Sequence, residues 1–176
     1  MFEGWGEFYL MAGSAAAVLI GLIFVVVTLM QDRSRSSVLT GSKLYMGPVV
    51  LQVSFVLVLS AAALAAGVTP GAMALLAGMV ALWGFVRAAQ SVLGIRALRG
   101  EDAPHWTDVW FYGFIPGALY ALLAVVALGL WSGSDWAVQG IAATITAMLL
   151  NCIRNEWDLV TWLAPRPDSA DPFDRE

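Results

Sequence analysis

The chain has little of what most active centres require. Its 176 residues include one cysteine and one histidine, and only 12% are charged. Cys152 and His105 cannot by themselves make a three-ligand zinc centre, a bis-histidine haem, a Cys/His nucleophile pair or a disulfide framework. No metal or cofactor is therefore expected. No nucleophile, base and orienting group gather in one segment, so an enzyme is not expected either. The net charge of −4 is small and half of it sits in the tail at 164–176, which argues against a nucleic-acid partner. The seven methionines are scattered rather than aligned as in a soft-metal conduit.

What the chain has in excess is apolar surface. Hydrophobic residues make up 60% of it and the mean hydropathy is +0.77, against roughly 45 to 50% in soluble domains. A helix needs about 20 mainly apolar residues to cross a hydrocarbon core of about 30 Å. Five segments meet that length: 8–30, 46–66, 72–95, 109–131 and 136–153, the last continuing as helix to about residue 163. The expected fold is an all-α bundle of five transmembrane helices in one domain, residues 1–163. A Pro-rich acidic tail at 164–176 is expected to be disordered. Gly67, Pro70 and Gly71 mark one tight turn, and Ser132, Gly133 and Ser134 another.

Cytoplasmic loops retain Lys and Arg. Arg33, Arg35 and Lys43 fall in the first loop, Arg96 and Arg99 in the third, and Arg154, Arg166 and Arg175 at or beyond the end of the fifth span. The amino terminus and loops two and four carry none. An N-out, C-in topology places all these cations on one side. Tryptophan agrees, because its amphipathic ring prefers the headgroup level: Trp5, Trp131 and Trp136 map to the outer surface, and Trp106, Trp110, Trp157 and Trp162 to the inner one. Glu3 and Glu7 replace the basic start of a cleaved signal, so span one is expected to be retained.

Span one carries Gly13, Ala17 and Gly21 at intervals of four, a small-residue groove suited to close helix packing. The plain expectation is packing within the chain; the sharper one is a subunit contact or a pore wall, with Glu7 at its outer end in an acidic ring. Arg87 lies inside span three, where a central charge costs on the order of 2.5 to 3.5 kcal/mol. Counting depth from the inner ends, Arg87, Gln90, Gln52 and Asn151 are expected to meet, with Glu156 and Asp158 below them as countercharges. Arg87 then either snorkels to an acid or a lipid phosphate, or lines a vestibule for an anionic group. Pro116 is expected to free the Tyr112 carbonyl and bend span four. Ser60, Gln139, Thr144 and Thr146 are expected to bond across helices. Proton-coupled transport would need an acid within a span, which requires Glu156 or Asp158 to be drawn into the bundle.

The run Ala15-Ala16-Ala17 followed by Gly21-Leu22-Ile23-Phe24-Val25-Val26-Val27-Thr28-Leu29 resembles the opening helix of small, uncharacterised multi-span bacterial inner-membrane proteins. The likeness covers about the first thirty residues and implies a bacterial plasma membrane, with no activity or site residue attached. Two functions follow from the residues as expectations. One is a homo-oligomeric membrane protein forming an ion or small-solute pore. The other is an accessory or scaffold subunit of a larger membrane complex, with a membrane-protein partner and no transport of its own.

Overall fold

The computed structural model describes residues 2, 4–29, 46–97 and 106–163. The loop residues Arg33, Arg35, Lys43, Arg99, Glu101, Asp102 and His105 lie outside them, as do Glu3 and the tail at 164–176 with Arg166 and Arg175. Within the described residues every regular element is helical. Five helices are long and apolar enough to cross a membrane. They are α1 (Gly6–Leu29), α2 (Gly47–Leu64), α3 (Pro70–Ala97), a composite α4 and α5 (Trp136–Leu163). α4 joins an α-helical turn Trp106–Val109, a π-helical turn Trp110–Phe114 and an α-helix Ile115–Trp131. The chain is thus an all-α, multi-pass membrane protein, and α5 continues unbroken through Leu163.

Both described turns close backbone groups that a helix end leaves open. After α4, Gly133 takes φ +73°, Ser134 N–H donates to Gly129 O at 2.9 Å and Gly133 N–H to Leu130 O at 3.2 Å. That paired 6→1 and 5→2 pattern is a Schellman closure, which needs a left-handed residue just past the helix. Between α2 and α3, Thr69 Oγ1 accepts from Ala72 N–H at 3.1 Å and so caps α3, with Pro70 in the first turn where its missing N–H costs nothing.

α3 packs most extensively on α4, and α1 on α2; α5 leans on α4, α1 and α2. Glycines set the first of these contacts. A Cβ at Gly84 would run into the ring of Tyr120, and one at Gly113 into Val92. Where α4 meets α5, a Cβ at Gly129 would stand 2.7 Å from Trp136 and one at Gly140 2.9 Å from Val126. Lipid offers no hydrophobic drive for helix association, so backbone approach of this kind supplies much of the packing energy. The centre is filled by Leu59, Leu123, Ile141, Ile145 and Met148, all fully buried.

Pro116 acts through the π turn in front of it. Ile115 N–H reaches back five residues to Trp110 O. In that register the carbonyl facing the proline's missing N–H is that of Phe111, and Phe111 O accepts from Asn155 Nδ2 at 3.1 Å. The carbonyl taken up by a side chain is therefore one residue earlier than the α-helical expectation of Tyr112, because the π turn shifts the register.

Candidate functional site

Two groups of polar residues stand out, one facing away from the bundle and one facing into it. The outward group is on α1. Tyr9, Ala12, Ala16, Ile23 and Val26 are buried, so they define the face that α1 turns to its own chain. Two helical turns take about seven residues. Glu7, Ser14, Gly21 and Thr28, spaced by seven, all lie on the opposite, exposed face. Ala17 is exposed beside them. Of the three small residues expected to pack a helix, only Gly13 does so within the chain: a Cβ there would stand 3.3 Å from Ser60 Cβ, whereas Gly21 has nothing within 4 Å. The four-residue stripe divides because a helix turns about 40° over four residues. Gly13 ends on the α2 side, and Ala17 and Gly21 on the outer side.

The inward group lies toward the α5 C-terminal half. Asn151 Nδ2 donates to Gln52 Oε1 at 2.9 Å and ties α5 to α2. The other amide atoms of this pair, Gln52 Nε2 and Asn151 Oδ1, have no hydrogen-bond partner. One turn on, Asn155 holds the π turn: its amide donates to Phe111 O, and Tyr112 Oη donates to Asn155 O at 3.2 Å. Arg154 lies over the Phe111 ring at 3.4 Å from its centroid and pairs with Asp158 at 3.6 Å. Glu156 is 2% exposed, and among the described residues neither carboxylate oxygen has a hydrogen-bond partner.

Arg87 does not join this layer. Its guanidinium donates to Gln90 Oε1 at 3.1 Å, and both side chains are exposed on the outside of α3. Depth alone placed it with Gln52 and Asn151; azimuth separates them, since Arg87 is exposed at the flank of the α3 face that buries Ala77, Gly84 and Ser91, and Gln90 is turned farther out. Asp158 answers Arg154 rather than Arg87. The hydroxyls expected to bond across helices turn back to their own backbone: Thr144 to Gly140 O at 2.7 Å and Thr146 to Ala142 O at 2.9 Å, as hydroxyls in membrane helices commonly do. Ser60 is buried without a partner, and Gln139 is exposed.

Sequence reasoning passed over Asn155, whose signal was its place four residues after Asn151. It also passed over Gly84 and Gly113, whose partners arrive from another helix. Among the described residues no group of three or more His, Cys, Asp or Glu side chains is arranged to hold a metal ion. Comparison with protein-family models, with curated proteins and with solved structures gave no match. The chemistry must be read from the residues themselves. A buried carboxylate without a partner is a place to take up a proton or a cation. An outward column with the Glu7 acid and the Ser14 hydroxyl, the Thr28 hydroxyl being turned to Val25 O at 2.7 Å, is a surface that gains by facing polar groups rather than lipid.

Proposed function

We propose that this multi-pass protein acts as a homo-oligomer in a bacterial inner membrane, N-terminus outside and C-terminus in the cytoplasm, with an ion or small-solute path between copies. The observation that carries this reading is the exposed column Glu7, Ser14, Gly21 and Thr28 on α1. α1 is the most apolar span, with a mean hydropathy of 2.6, and only 22% of its most apolar 18 residues are buried within its own chain. Glu7, Ser14, Gly21 and Thr28 nevertheless share one outer face at the heptad spacing by which helices pack on copies of themselves. Because the centre of a single bundle is closed by apolar side chains, a path belongs between subunits, with Glu7 gathering cations at its outer mouth. The loop cations support the orientation, and the resemblance of span one supports the membrane assigned.

Full-length protein reconstituted in liposomes tests this through cation flux. Wild type is expected to conduct, Glu7→Gln to lower the cation-to-anion preference, and Ser14→Leu to reduce flux. Absence of flux from an assembled wild-type particle would move the function to an accessory subunit, whose α1 column is covered by a different polypeptide.

A further inference from the structure

α1 and α3 both lean on α2 and leave a groove between them, open to the side of the bundle. Its volume is about 500 Å³, and its walls include Ile23, Val27, Val50, Ser54, Trp83 and Arg87. All but two of these side chains are apolar, and Arg87 supplies the one charge. α2 has 18 residues and so spans about 27 Å, just short of the hydrocarbon thickness. Its start at Gly47 therefore lies near one headgroup layer. Val50 and Ser54 follow within about 5 to 10 Å of that start. Arg87 shares the groove with them, within side-chain reach of the phosphates but below them, a depth from which arginine snorkels.

Among the described residues the charge there has no anionic partner. Arg87 bonds only the neutral amide of Gln90. Among the described acidic side chains, Asp158 is engaged by Arg154 and Glu156 is buried. Glu7 and Asp135 sit at the other end of the bundle, in the first turn of α1 and just before α5. Guanidinium matches phosphate geometry through paired N–H donors, and the apolar walls match an acyl chain.

The geometry points to a binding site for one anionic glycerophospholipid, its phosphate on Arg87 and an acyl chain along Val27, Val50 and Trp83. The site is separate from the α1 column, so it stands whether or not the protein conducts. It adds a lipid requirement to the molecule: the leaflet's headgroup charge is read by a single arginine at the α1/α3 groove.

Native mass spectrometry of the full chain, stripped of lipid in detergent and titrated with phosphatidylglycerol or phosphatidylcholine of equal chain length, tests it. Wild type is expected to bind phosphatidylglycerol more tightly, by about fivefold, the effect of one basic residue on an anionic lipid. Arg87→Gln is expected to abolish that preference, Arg87→Lys to keep most of it, and Val50→Trp, which fills the groove without touching the charge, to weaken both lipids. Should Arg87→Gln not fold, the Val50→Trp and Arg87→Lys comparison carries the test. An unchanged preference in Arg87→Gln, or, where Arg87→Gln fails to fold, undiminished binding of both lipids in Val50→Trp, would overturn the proposal. So would an equal effect of inorganic phosphate on wild-type thermal stability, or a second copy or other protein found cross-linked into the groove.

Discussion

α1 and α5 are opposites. Over its most apolar 18 residues α1 has the highest mean hydropathy of the five spans, 2.6, and the smallest share buried, 22%; α5 has the lowest, 1.5, and the largest share, 50%. In water the order would be reversed, because apolar surface is driven inward. In lipid that drive is absent, and polar groups seek partners inside while apolar faces meet acyl chains. α5 follows this logic through Asn151 and Asn155. α1 follows it everywhere except along Glu7, Ser14, Gly21 and Thr28, where polar and small groups face outward. That exception is the reason to look for a protein-covered surface on α1, as the outward pair Arg87 and Gln90 is the reason to look for a lipid phosphate on α3.

The contrast can be broken at several points. The largest effect is expected at a close inward contact: Gly84→Leu drives a side chain into Tyr120 and should destabilise the bundle by about 3 kcal/mol, the upper end of the usual cost of overpacking. Thermal unfolding in detergent would register it. Gln52→Leu or Asn151→Leu leaves a buried amide without its partner and should each cost about 1 to 2 kcal/mol. The double variant should lose less than their sum, and a strictly additive double-mutant cycle would show that the 2.9 Å bond does not couple α2 to α5. Glu156→Gln removes an unpartnered buried carboxylate and should raise the unfolding midpoint at neutral pH by about 2 to 4 °C. A falling midpoint would mean that the carboxylate has a partner in the assembled protein. The smallest effect on the single chain is expected at Gly21→Leu, within about 0.5 kcal/mol, because nothing lies within 4 Å of a Cβ there. The same change should still shift the particle toward smaller assemblies on size-exclusion chromatography with light scattering.

Much of the fold was legible because span length and turn chemistry are local. Hydrophobic runs and Gly/Pro punctuation placed all five helices within a few residues of their observed bounds, and the continuation of α5 to Leu163 could be read from its unbroken helical pattern. Side-chain partners were less legible, since they depend on how each helix is rotated about its axis. Depth along the membrane can be counted from helix ends, and it correctly ranked Gln52 with Asn151, which do meet. Rotation cannot be counted where apolar residues surround the helix on every side, so Arg87 and Gln90 were drawn inward although they face out. The π turn at Trp110–Phe114 was invisible for another reason: Pro116 announces a lost N–H, while the register adopted to absorb it depends on Asn155 of another helix.

The account rests on α1 meeting a copy of itself along its outer column, and disulfide cross-linking of single-cysteine variants in membranes reads that most directly. In a Cys152→Ser background, Ser14→Cys and Gly21→Cys should form disulfide-linked dimers under mild oxidation, while Leu75→Cys on the exposed face of α3 should not. Native mass spectrometry of the purified particle should then give one fixed number of copies. Monomers that cross-link at none of these positions, or dimers formed as readily through Leu75→Cys as through Ser14→Cys, would contradict it.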